Sequence, residues 1–348
     1  MNDPFDLSQE SDYLAWRARK LSAYPAGISR LRVPVARLDR PTEAERAALI
    51  RTIELYNMVL VQVEAAQVDK RAVLSFGRAL GLRRADTNLF ADAEAVSSIT
   101  DTPPAADRQG RSGADPASPA ARSDYIPYTN RPLSWHTDGY YNRSDSQVMA
   151  WTLFCVRPSR VGGENGLIDH EIAYIRLRDD APHHIIALSH PRALTIPAHV
   201  HDGRTIRPES VGPVFSVREG RLHMRYSART RHVRWRDTPE TDAARRALDR
   251  LFSRPDVFTF TCRLGPGEGL LSNNVLHCRS GFEDEVDASQ RRLLYRVRYL
   301  DRIRTESGED GRPPSLDGDP AAHRDNRAAG TLQAHDKGAV AVNHAKAQ

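Results

Sequence analysis

The chain has 348 residues, room for one large domain or two ordinary ones, and a globular composition of 40% apolar and 27% charged residues. No apolar run is long enough to span a membrane, and the acidic start Met1-Asn2-Asp3-Pro4-Phe5-Asp6 lacks the pattern of a secretory signal. The net charge of +5 rests largely on arginine and points to anionic ligands, while three cysteines (Cys155, Cys262, Cys278) without C-x-x-C spacing argue against a disulfide framework or a thiolate zinc cluster. A cytoplasmic protein is expected.

Residues 1–30 read as an N-terminal extension holding a short helix over Asp12–Leu21, ended by Pro25 and Gly27, with Tyr13, Trp16 and Leu21 against the main body. Thr42 and Glu45 form a capping-box pattern for a helix that runs to about Tyr56. Met58–Val63 reads as a strand, Asp69–Leu80 as a helix stopped by Gly81, and Val96–Thr100 as a short strand. Residues 102–124 carry almost no large apolar side chain and are expected to be a mobile insertion, either a tolerated surface loop or a lid.

Next comes Trp135-His136-Thr137-Asp138-Gly139. On an extended backbone His136 and Asp138 point to the same face, offering an imidazole nitrogen and a carboxylate oxygen to a divalent first-row metal. A third ligand must then come from elsewhere; two histidines and one carboxylate leave positions open on iron for O2 chemistry. The plain alternative is that His136 caps a turn and Asp138 solvates a strand end. Tyr140, Tyr141 and Asn142, just beyond, read either as pocket walls or as core residues.

Gln147–Val156 is strongly apolar and reads as a buried strand, turned back at Gly162-Gly163-Glu164-Asn165-Gly166 into a strand from Leu167 and a helix around His170–Arg178. Several short strands follow over 190–236, then an amphipathic helix over Pro239–Phe252 and strands at Val257–Leu264, Gly269–Ser272 and Leu293–Leu300. The basic stretch from Arg218 to Arg236 has only Tyr226 and Trp235 as aromatic companions. It is expected to be a solvated basic face or the rim of an entrance for an anionic substrate, not a nucleic-acid footprint. Residues 304–348 turn polar and are expected to be a disordered tail, which leaves 31–303 as the domain. The fold class expected is mainly β with flanking helices, a sandwich or barrel.

His277 follows an apolar strand and a polar turn, where a sheet delivers a side chain to its mouth. After it lies Arg291-Arg292-Leu293-Leu294-Tyr295-Arg296-Val297-Arg298-Tyr299, in which Arg292, Leu294, Arg296 and Arg298 share one strand face. One of these guanidinium groups suits a bidentate carboxylate clamp. The alternative is an exposed basic strand face.

Taken together, Trp135-His136-Thr137-Asp138, Gly162-Gly163-Glu164-Asn165, Asn273-Asn274-Val275-Leu276-His277 and Arg291-Arg292-Leu293-Leu294-Tyr295-Arg296 resemble the taurine dioxygenase/TfdA-like family of Fe(II)- and 2-oxoglutarate-dependent oxygenases, over roughly residues 30–300. Tyr128-Thr129-Asn130-Arg131-Pro132-Leu133 also looks like the γ-butyrobetaine hydroxylase branch. The resemblance implies a double-stranded β-helix (jelly roll) in which His136, Asp138 and His277 bind Fe(II) and Arg292 takes the distal carboxylate of 2-oxoglutarate. Arg296 would lie nearer the substrate, or take the clamp instead, because the gap after His277 is longer than in taurine dioxygenase. Asn165 stands where relatives often carry a Thr that bonds the cosubstrate. The implied activity uses O2 to hydroxylate a small carboxylate- or sulfonate-bearing substrate, with release of succinate and CO2; desaturation or cyclisation can use the same site. Asp138 disfavours halogenation, and the absence of a His near Arg83 and Arg84 disfavours taurine. A metabolite-binding jelly roll without catalysis and a zinc hydrolase with Glu164 as base are the rival classes. A homo-oligomer is left open.

Overall fold

The computed structural model describes residues 3–87, 91–101, 126–201, 203–254 and 256–305, so the insertion expected over 102–124 and the tail from 306 onward lie outside the described residues. Two residues assigned to that tail are described: Arg304 is ion-paired with Glu219, and Thr305 donates from its backbone to Glu54 at 3.0 Å.

The strands that build the two main sheets are β1 (Arg32–Pro34), β2 (Met58–Gln62), β3 (Ser97–Ile99), β4 (Leu133–His136), β5 (Ala150–Arg157), β6 (Asn165–Ile168), β7 (Thr259–Cys262), β8 (Glu268–Ser272), β9 (Leu276–Arg279) and β10 (Leu293–Tyr299). One sheet has the order β1-β2-β8-β5-β10-β3 and the other β7-β6-β9-β4. All neighbours are antiparallel except β1 and β2. The protein is thus mainly β with several helices, as expected.

The helices are α1 (Glu10–Ala23), α2 (Glu43–Tyr56), α3 (Lys70–Ala79), α4 (His170–Asp180), α5 (Pro182–Ser189) and α6 (Pro239–Ser253). The capping box of α2 forms as read: Glu45 N donates to Thr42 Oγ1 and the Glu45 carboxylate accepts Thr42 N. Gly81, with φ of 83°, follows α3 in the left-handed region that glycine adopts freely. Helix α5 was not anticipated, because its Pro182-His183-His184 opening is short and carries no helix-capping side chain.

Side-chain alternation divides β2 and β10 between two cores. Val59 and Val61 of β2, with Val297 and Tyr299 of β10, pack toward Leu49, Ile53 and Phe76 of α2 and α3. Met58 and Leu60, with Leu294, face Trp151, Leu167, Phe260 and Leu270 between the sheets. The third cluster joins α4, α5 and α6 around Tyr174, Phe215 and Leu248, and Tyr13 of α1 is buried in it. Both faces of β2 are therefore apolar, which is why its sequence lacks a polar stripe.

Candidate metal centre

Strands β4 and β9 lie antiparallel with His136 directly opposite His277. Asp138 sits two residues beyond His136, so all three side chains converge. Their candidate ligand atoms lie within 4.8 Å of one another, and the two imidazole centroids are 4.2 Å apart. His136 Nε2 is 3.9 Å from Asp138 Oδ1. His136 Nδ1 donates to Ser134 O at 2.9 Å and His277 Nδ1 to Val275 O at 3.0 Å, which fixes the tautomer and leaves both Nε2 lone pairs directed away from the backbone. The donor set of two imidazoles and one carboxylate suits a divalent first-row metal. Gly166 on β6 is required here: a Cβ would come within 2.6 Å of Cys278 Sγ and 3.0 Å of the Trp135 ring.

Electrostatics prepare these groups for a cation. Burial, then the neighbouring His277, pushes His136 down to about 3; burial likewise lowers His277, so both rings are neutral. Burial alone would raise the Asp138 carboxyl, but Arg296, followed by His277 and Arg298, outweighs it and keeps the group ionised. Asp138 Oδ2 is buried without a hydrogen-bond partner, an orphan acceptor of the kind a ligand satisfies.

Around this triad the structure places three residues whose positions the sequence did not reveal. Asn274, itself at a positive φ of 56°, accepts Asp138 N at 2.8 Å and donates to Asp138 O at 3.0 Å and to Val148 O. One amide thus grips both backbone groups of the acidic residue. Arg279 is buried and donates to the carbonyls of Pro127, Thr129 and Arg131, which pins the turn leading into β4. Arg298 donates to Tyr141 OH at 2.7 Å and is ion-paired with Asp86. The only sequence signal for such roles was an asparagine doublet and an arginine beside His277, patterns too common to be read alone.

The arginines of β10 take separate positions. Arg296 Nη1 lies 3.3 Å from Asp138 Oδ1. Arg292 lines a small cavity with Asn165, Cys155, Ser159 and Leu294; its Nη1 is buried without a partner, and its guanidinium lies 5.0 Å from the centroid of the Phe282 ring. Asn165 donates weakly to Cys262 O at 3.4 Å. Arg292 and Arg298 are 4% and 3% exposed, so the alternative of an exposed basic strand face is overturned: Arg298 lies on an interior strand and Arg292 immediately before it. The solvated-face reading of 218–236 also needs correction at Arg225, which is buried and donates to the carbonyls of Tyr140, Leu194 and Ser210. Tyr140 packs edge-on to His136 at 6.4 Å, Tyr141 is held by Arg298, and Asn142 spends its amide on Asp86 and Ser146. Glu164 accepts Ser280 Oγ. No helix among the described residues is long and apolar enough to cross a membrane.

Comparison with known proteins agrees with this arrangement. Residues 19–298 match the model of the "Taurine catabolism dioxygenase TauD, TfdA family". A uridine-5'-phosphate dioxygenase of Amycolatopsis sp is 32% identical over 182 residues, which is 50% of this chain and 62% of the relative, so less than two thirds of that relative is matched. Among solved structures, asparagine oxygenase in complex with Fe(II), 2S,3S-3-hydroxyasparagine and succinate superposes with a TM-score of 0.52 at 16% identity, over 86% of this chain and 85% of its own. The non-heme iron oxygenase OrfP with Fe, succinate and (3S)-hydroxy-L-Arg gives 0.51 at 17% identity, over 75% and 82%. With the family model covering most of its length, this chain belongs to the TauD, TfdA family of dioxygenases.

Proposed function

We propose that the protein is an Fe(II)- and 2-oxoglutarate-dependent dioxygenase that hydroxylates a small anionic substrate and releases succinate and CO2. Its two main sheets would be the walls of a double-stranded β-helix. The observation that carries the reading is the cluster of His136, Asp138 and His277, neutral at both rings and ionised at the carboxylate; the buried Arg292 Nη1, which has no hydrogen-bond partner, supports the cosubstrate clamp. Bound iron would supply activation of O2 with 2-oxoglutarate as the reductant.

The chain's own residues then have defined tasks. His136, Asp138 and His277 hold the metal on one side and leave its other positions free. Arg292 clamps the distal carboxylate of 2-oxoglutarate, with Asn165 beside it in the same cavity. Arg296 lies against the metal carboxylate and orients it rather than taking the clamp. Asn274 fixes the backbone of Asp138, and Arg279 fixes the turn leading into β4, which carries His136. Burial of His136 and Asp138, with His277 partly buried, restricts the access of bulk water to the metal.

For the substrate, the relative that acts on uridine-5'-phosphate favours an anionic small molecule and makes phosphate monoesters the first to try, before carboxylates and sulfonates. The test is release of succinate from 2-oxoglutarate with purified protein, Fe(II) and such a panel. One substrate stimulating release above the substrate-free rate, with loss in His136→Ala and Asp138→Ala, is the expected result. Release unaffected by either substitution would refute the assignment of the triad.

A further inference from the structure

The two β10 arginines nearest the triad are already matched by carboxylates, Arg296 by Asp138 and Arg298 by Asp86. An anionic substrate therefore needs a cation from elsewhere, and the chain supplies one beside the metal strand. Residues 226–229 run along β4: Thr137 N donates to Tyr226 O at 3.0 Å, Ala228 N donates to Trp135 O at 2.8 Å, and Ser227 bridges to His136. Arg229 is the next residue. It is part-buried, and its guanidinium makes no hydrogen bond or ion pair with another described residue.

Other cations gather at the same place. The turn Thr230–His232 continues from Arg229. The Arg207 guanidinium lies 5.5 Å from the centroid of the Tyr141 ring, which is 5.2 Å from Tyr140, the residue packed on His136. Arg207 is fixed there by donating to Pro197 O at 2.8 Å and Pro208 O at 3.0 Å, and burial, followed by the positive charge of Arg229 and its neighbours, lowers His232. Like charges held together cost energy unless an anion shares them.

We propose that Arg229, with Arg207 and His232, forms the subsite that binds a phosphate monoester group of the primary substrate. The proposal rests on the oxygenase reading of the adjacent triad. A single carboxylate is satisfied by one guanidinium fork, whereas a phosphate monoester brings nearly two charges and three acceptor oxygens, the better match to two guanidinium groups with an imidazole donor beside them.

The test uses metal-free full-length protein and isothermal titration with ribose 5-phosphate, inorganic phosphate and acetate. The expected result is at least tenfold preference for ribose 5-phosphate over acetate, a roughly tenfold weakening in Arg229→Gln, and partial recovery in Arg229→Lys, with unchanged thermal midpoints. Equal binding of phosphate and acetate, or an unaffected Arg229→Gln protein, would overturn the subsite. Because no metal is present, these readings are independent of the iron chemistry. The same preparations loaded anaerobically with Fe(II) and 2-oxoglutarate report separately on that chemistry through their charge-transfer absorption. Absorption without phosphate selectivity defeats the subsite alone.

Discussion

Arg292 makes opposite demands on stability and binding, and Arg292→Leu separates them. Its guanidinium is 4% exposed, lies over the Phe282 ring, and has a buried Nη1 with no partner. Burial alone pulls the group down to about 10, which reflects the strain of a charge held out of water. A fork on a carboxylate comprises two charge-assisted hydrogen bonds, and their loss, net of desolvation, is worth about 3 kcal/mol, roughly 100-fold in 2-oxoglutarate affinity. Replacing an uncompensated buried charge with an apolar side chain of similar size is neutral or stabilising, here by about 1 kcal/mol, or a rise of about 2 °C in midpoint. Thermal unfolding with and without 2-oxoglutarate reads both effects. The wild type gains stability from the cosubstrate; the variant begins higher and gains almost nothing. A variant that starts lower and still responds to 2-oxoglutarate would show that Arg292 is a structural residue and refute the reasoning.

Other consequences follow from the groups around the triad and the core. Asn274→Ala removes the grip on both backbone groups of Asp138 and should weaken Fe(II) binding by about 10- to 100-fold, measured by anaerobic metal titration; unchanged affinity would dismiss the clamp. Lys20 Nζ lies 2.6 Å from both Asp169 Oδ2 and Glu171 Oε2 in the interior, so Lys20→Met should cost about 3–5 kcal/mol in urea unfolding, with partial recovery when Asp169→Asn is added. A smaller loss would mean the carboxylates find other partners. Burial, with Arg302 nearby, pushes His170 down to about 3, and His223 is also lowered. Below an unfolded value near 6.5 the unfolded chain takes up these protons and the native state does not, His170 holding off until about 3. Unfolding free energy should therefore fall as pH drops from 6.5, by up to about 1.4 kcal/mol per pH unit for each ring. His170→Phe should flatten that slope, and an unaltered slope would remove His170 from the account.

The sequence brought His136, Asp138 and His277 into view as a candidate cluster because their signals are local or strand-periodic. The His-x-Asp spacing survives as a shared face at the end of β4, and the alternation along β10 correctly put Leu294 opposite Val297. What alternation does not encode is which buried layer each face meets. Arg292, Arg296 and Arg298 therefore looked equally suited to solvent or to a cavity, until β5 and β3 enclosed the strand on both sides. Arg225 was misplaced for the same reason: three carbonyls from distant segments satisfy it, and none is visible from its neighbours in the chain. Asn274 shows the limit most clearly, since its partner lies 136 residues away. Helix α4, by contrast, was anticipated over most of its length, although Asp169, which caps it, was not read as its cap.

The most direct test of the central claim is the visible metal-to-ligand charge-transfer absorption formed when Fe(II) and 2-oxoglutarate are added without oxygen. The account predicts a band in the wild type that is lost in His136→Ala and weakened in Arg292→Ala at limiting 2-oxoglutarate. A band lost in His136→Ala but unchanged in Arg292→Ala would move the clamp to Arg296. No band while iron is retained would contradict the oxygenase assignment outright.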